Sequence, residues 1–91
     1  MKLRLRFLQP FARAVGAEGL EFEMEEGTIR DLVEELSRAH PAFGKEAHDP
    51  SGEIADHLNV FVNGKPVLEG GLEARLSEGD DVLFFLPVGG G

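Results

Sequence analysis

One stretch of helical period stands between stretches of period two, and that order leaves few folds open. Thr28 is a good N-cap with Asp31 three residues on, close to a capping box. Ile29, Leu32, Val33 and Leu36 then share one face, with Arg30, Glu34, Glu35 and Arg38 outside. His40-Pro41 ends the helix, because a residue before proline is pushed out of the helical region. Upstream, Leu3, Leu5 and Phe7 alternate with Lys2, Arg4 and Arg6, while Leu20, Phe22 and Met24 alternate with Glu21, Glu23 and Glu25. Both read as strands with one apolar face. Arg4 and Arg6 then face Glu21 and Glu23 across an antiparallel pair, each contact worth roughly 0.2–1 kcal/mol. The connection from Gln9 to Gly19 is too long for a tight hairpin and holds a helical turn, Phe11 to Val15, ended by Gly16.

Downstream, residues 41–56 read as a polar loop with Phe43 and Ile54 attached to the core. Leu58 to Val62 has strand character, Asn63-Gly64 is a strong hairpin turn, and Pro66-Val67-Leu68 is its short second arm. An irregular connection through Gly70-Gly71-Leu72 and Leu76 leads to the turn Ser77 to Asp81 and a last strand, Val82 to Leu86. A single helix buries its stripe best by lying across one face of a sheet. The 91 residues hold one domain with one modest core. The expected fold is therefore α+β, a β-grasp (ubiquitin-like) arrangement: a mixed sheet with one main helix across it. Residues 1–88 form the domain and 89–91 a flexible glycine tail.

Composition removes several function classes. There is no cysteine, hence no disulfide, thiol nucleophile or thiolate metal site. Nine basic against 17 acidic residues give a net charge of −8, which disfavours direct contact with nucleic acid or an anionic membrane and favours a partner with a basic docking face. The opening Met1-Lys2-Leu3-Arg4 does not read as a secretory signal, and the longest apolar run, Val82 to Val88, is far too short for a membrane span. A soluble cytoplasmic protein is expected.

Side-chain chemistry is sparse. Ser37, Ser51 and Ser77 lack the context of an activated nucleophile. His40, His48 and His57 lie too far apart in sequence for a metal motif, so no metal site is expected; His40 reads as a helix-end residue, His48 as a solvated loop residue and His57 as a polar strand-edge residue. Glu21, Glu23, Glu25 and Glu26 read as the wet face of a strand. More telling is what one helix cannot cover. Leu8, Phe61, Leu83 and Phe85 point away from the core face and are expected to lie partly exposed, a docking patch beside the last strand. From there Pro87 and Val88 lead into Gly89, Gly90 and Gly91. Glycines add nothing to a core, but they make a thin arm that spans at most about 13–14 Å from Val88 onward.

The run Gly79-Asp80-Asp81-Val82-Leu83-Phe84-Phe85-Leu86-Pro87-Val88 before terminal glycines closely resembles the C-terminus of the MoaD/ThiS sulfur carriers. Leu58-Asn59-Val60-Phe61-Val62-Asn63-Gly64 is similar to the central strand and turn of the longer members. The segment from Ala39-His40-Pro41 through Val60 looks most like archaeal small modifiers and cysteine-pathway carriers. The resemblance implies a protein that is not itself an enzyme and binds no cofactor. An adenylating enzyme of the ubiquitin-activating type would use ATP to activate the Gly91 carboxylate, and a sulfur donor would convert it to a thiocarboxylate. The acceptor would lie in molybdopterin-type, cysteine or tRNA biosynthesis; in the first case the chain would be the small subunit of a molybdopterin synthase, serving the large one. Leu8, Phe61, Leu83, Phe85, Pro87 and Val88 would grip the partner. The alternative is a ubiquitin-like protein modifier or a plain interaction module. Two departures stand out: Gly89 makes a third terminal glycine, and Leu86 stands where many members have proline.

Overall fold

The computed structural model describes residues 1–68 and 71–87. Five strands form one mixed sheet: β1 (Lys2–Phe7), β2 (Gly19–Glu23), β3 (Asn59–Val62), β4 (Lys65–Pro66) and β5 (Asp81–Phe85), in the order β2-β1-β5-β3-β4. β5 sits at the centre, parallel to β1 and antiparallel to β3, so the last strand is held on both edges. The expected pairing of the first two strands is present, with Arg4 opposite Glu21 and Lys2 opposite Glu23; Arg6 lies opposite Gly19 instead of a glutamate.

Helix α2 (Ile29–Ala39) begins at the expected capping box. Thr28 Oγ1 accepts from the Asp31 amide at 3.1 Å and Asp31 Oδ2 from the Thr28 amide at 2.9 Å, two orphan donors satisfied at once. The same hydrogen bond from the Thr28 backbone holds the Asp31 carboxyl below its ordinary pKa. The stripe of Ile29, Leu32, Val33 and Leu36 is buried against Leu3, Leu5 and Phe7 of β1 and Val82 and Phe84 of β5. This is the β-grasp architecture: a mixed sheet with the main helix across one face.

The region expected to be a loop is in part a helix. α1 (Phe11–Val15) forms as expected, but Pro41–Ala47 makes a further helix, α3. His40, at φ −134° and ψ 86°, leaves the helical region as the proline rule requires. Pro41 then becomes the first residue of α3, where its missing N–H costs nothing. α3 can lie close to α2 because Gly44 has no side chain; a Cβ there would come within 3.0 Å of the Ser37 Cβ. Phe43 is thereby fully buried. Its ring centroid is 5.3 Å from those of Phe11 and Phe84 and 6.1 Å from that of Phe7, a four-ring cluster directly beneath β1 and β5.

At the other end of β5 the turns are tied together. Asn63, at φ +53°, and Gly64, at φ +81°, make the tight turn between β3 and β4. The Asn63 side chain donates to Asp80 Oδ1 and accepts from the Asp81 amide, both at 2.9 Å. β4 is shorter than expected, ending at Pro66. The final strand runs from Asp81 to Phe85 instead of Val82 to Leu86.

Candidate functional site

Among the described residues α1 and α3 accompany the main helix, and the buried side chains the three share with the sheet all lie on one of its faces. On β1 the burial strictly alternates, with Leu3, Leu5 and Phe7 inside and Lys2, Arg4 and Arg6 outside. The opposite face is therefore left open. Leu83 of β5 lies in register with Phe61 of β3 on one side and with Arg6 of β1 on the other. The Phe61 and Phe85 rings pack edge-on with centroids 5.4 Å apart. Leu8 continues β1, its amide donating to the Phe84 carbonyl at 3.0 Å, and its side chain is 53% exposed. Leu8 and Leu83 line one shallow groove with Arg4, Arg6, Gly19 and Glu21. The four residues expected to form a docking patch are thus on one face, with Leu8 exposed and the other three half-buried.

The strand carrying this patch is fixed along its length. Arg6 Nε reaches Asp81 Oδ1 at 2.9 Å, and the Asn63 contacts anchor Asp80 and Asp81. At its far end Leu86 packs partly against the core and Pro87 is exposed. Val88, Gly89, Gly90 and Gly91 lie outside the described residues, as does the expected boundary between domain and tail.

The charge on this face differs from the net charge. The chain is acidic overall, yet β1 turns Lys2, Arg4 and Arg6 onto the open face, where Arg6 is paired with Asp81 and Glu21 and Glu23 flank it from β2. A partner that fits here meets a mixed surface around an apolar centre, so a uniformly basic docking face is not required.

The remaining candidates are structural. Ser37 Oγ donates to the Val33 carbonyl at 2.6 Å, and Ser51 Oγ donates to Asp49 Oδ1 at 2.6 Å. That Ser51 hydrogen bond, with the backbone amides of Ser51 and Glu53, holds the Asp49 carboxyl below its ordinary pKa. The Ser37 bond is a back-bond within α2 and the Ser51 bond closes the turn after Asp49, whose carboxylate is also occupied by the Ser51 and Glu53 amides. Among the described residues no group of three metal-ligating side chains forms, and no helix is long and apolar enough to cross a membrane. His48 is not the solvated loop residue its sequence neighbours suggest; both ring nitrogens are engaged, to Gly44 and Glu34. Leu68, expected in the second arm of the hairpin, lies beyond β4 at 75% exposure, beside a second groove lined by Ile54, Leu58, Val67 and Leu72. Nothing in the local pattern distinguishes it from the buried leucines.

Comparison with known proteins gives one consistent answer. Residues 5–91 match the model of the ThiS family. Small archaeal modifier protein 3 of Haloferax volcanii is 33% identical over the whole of both chains. An Archaeoglobus fulgidus protein provisionally named a sulfur carrier is 32% identical over 79% of this chain and 83% of its own. The crystal structure of SAMP1 from Haloferax volcanii superposes with a TM-score of 0.86 at 27% identity, covering all of both chains.

Proposed function

This chain belongs to the ThiS family, and from that premise we propose that it is a sulfur carrier whose reactive group is the carboxylate of Gly91. Its relatives are small modifiers and carriers and not enzymes. In the proposed cycle an adenylating partner joins the Gly91 carboxylate to the α-phosphate of ATP, and pyrophosphate leaves. Sulfide then displaces AMP from the mixed anhydride; alternatively a persulfide displaces AMP to give an acyl disulfide, and a second thiol cleaves its S–S bond, leaving as the mixed disulfide. The product is a C-terminal thiocarboxylate. A chain without cysteine suits this role, because the sulfur is carried on the backbone terminus and no side-chain thiol competes for it.

The observation that carries the reading is the placement of the terminal motif. Its strand is the central one of the sheet, locked by β1 and β3, and it flanks the open apolar face. A partner gripping that face receives the following residues at a fixed origin. This limits the search for the reacting group, as catalysis by positioning requires. The glycines that follow leave room around the reacting carbon.

Intact mass spectrometry tests the reading directly. Incubation with a competent adenylating enzyme, ATP and a sulfur donor is expected to replace one terminal oxygen by sulfur. An unchanged mass with an active enzyme would sink the proposal. The 33% identity to a protein named as a modifier supports a second use of the same adenylate, attack by a lysine amine to give an isopeptide. In that case the same incubation with cell extract produces heavier conjugates in place of the thiocarboxylate. Which acceptor takes the sulfur, in molybdopterin-type, cysteine or tRNA biosynthesis, would follow from adding candidate acceptor enzymes.

The grip itself is separately testable. Leu8→Glu places a charge on the exposed rim of the patch without touching the core. Its folding stability is expected to change by no more than about 0.5 kcal/mol. Its affinity for the adenylating partner should fall at least about tenfold, roughly 1.4 kcal/mol. Titration by calorimetry reads both partners; equal affinity for variant and parent would remove Leu8 from the interface.

A further inference from the structure

His48 closes α3 with both ring nitrogens facing oxygen. Nδ1 lies 2.8 Å from the Gly44 carbonyl and Nε2 lies 2.8 Å from Glu34 Oε1 on α2. The imidazole is 17% exposed and the Glu34 side chain 48%. A backbone carbonyl has no proton to offer, and an ionised carboxylate has none either. Both nitrogens must donate, and only the imidazolium carries two N–H groups. A neutral ring would set a lone pair against oxygen at one of these contacts.

The charges around the ring favour the same state. Glu34 faces it from α2, where Arg30, one turn earlier, is drawn away to Glu73 at 2.6 Å. Asp49 follows it in the chain and is held ionised by Ser51. Glu53 lies on the returning segment, its carbonyl accepting from the Asp49 amide at 2.8 Å. That segment folds back onto the end of α3: His48 bridges to Ile54, and the Ala55 amide donates to the Ala47 carbonyl at 2.8 Å. The contact of His48 with Glu34 is a side-chain tie between this turn and α2.

We propose that His48 is a protonation-controlled latch: as an imidazolium it pins the turn of residues 48–55 to α2 through Glu34, and on losing a proton it releases that turn. When Nε2 is deprotonated, the ring keeps its bond to the Gly44 carbonyl, one helical turn back, and Glu34 is repelled into water. The tie to α2 is therefore the one that fails. The hydrogen bond to Glu34 raises the His48 pKa most, followed by the bond to Gly44, against the effect of burial. The unfolded chain titrates near the ordinary histidine value of about 6.5. The latch thus stabilises the fold fully below that pH, and its contribution is lost as pH rises through the higher native value.

Ring nitrogen NMR combined with amide exchange tests this on the intact chain. The His48 midpoint is expected to lie above that of a free histidine, with both ring nitrogens protonated on its acid side. Through that midpoint, protection of the Asp49 and Ala55 amides should fall several-fold relative to the ladder between β1 and β5. Glu34→Gln keeps the shape and removes the charge, so its His48 midpoint should drop below the parent's. His48→Asn should abolish the pH dependence of protection. A parental midpoint at or below that of free histidine, an unmoved midpoint in Glu34→Gln, or protection that ignores the titration would each overturn the latch.

Discussion

A chain lacking Gly90 and Gly91 is expected to give no acyl adenylate at all, while its unfolding free energy stays within about 0.5 kcal/mol of the parent's. The two halves of this result come from different parts of the molecule. Every residue of the described core, from Leu3 to Phe84, precedes Pro87, so removing the last two glycines deletes no buried contact among the described residues. What it deletes is reach. Truncation moves the carboxylate back by two residues, up to about 7 Å along an extended chain. Misplacing a reacting atom by a single ångström can already cost about a hundredfold in rate. Pyrophosphate exchange catalysed by the adenylating partner measures the first half and urea unfolding the second. If the truncated chain still supports exchange, Gly91 is not the reacting residue. If it unfolds more easily, the tail has a structural part in the domain.

The largest stability effect is expected at Phe43. Replacing it by alanine should cost about 3–5 kcal/mol, the range for deleting a buried aromatic ring and leaving a cavity. A domain of this size has only about 5–15 kcal/mol in total. Each kcal/mol lowers the melting midpoint of such a domain by about 4–8 °C, so the fall should be roughly 12–40 °C. The reason is position: Phe43 touches Phe7, Phe11 and Phe84 at once, so its loss opens a gap beneath both β1 and β5. Leu8→Glu, on the other face of the same sheet, is the matched comparison, with binding lost and stability kept. A Phe43→Ala cost below about 1 kcal/mol would mean that the cluster collapses to fill the gap, and that α3 is an ornament to the core.

These two results separate the parts of the molecule that local sequence already describes from those it does not. Alternation along Lys2 to Phe7 is a local property, and each residue's face follows from its parity. The same holds for Leu83 and Phe85 against Val82 and Phe84. Parity alone therefore placed Leu8, Phe61, Leu83 and Phe85 together on the face away from the helix. The capping box at Thr28 and the turn at Asn63-Gly64 are equally local, since each is made by residues within a few positions of one another.

Phe43 lies in the core as expected, but the helix that carries it is not a local property. Pro41 ends one helix and starts another, and the rule for its preceding residue covers only the ending. A seven-residue segment with Gly44 inside has poor helix propensity of its own. It becomes a helix because Gly44 lets it approach Ser37 and because Phe43 finds three rings to bury against. His48 is the polar counterpart, since its partner Glu34 lies 14 residues away on another helix.

By itself, then, the sequence determined the strands, the main helix, the open apolar face and the glycine run on which the proposed chemistry rests. Local geometry and side-chain parity are enough for each of these. Only the tertiary structure decided that β5 lies parallel to β1 at the centre of the sheet, that α3 exists, and that His48 meets two oxygens. Each of those joins residues far apart in the chain, and their stability comes from burial and pairing that no short stretch makes alone.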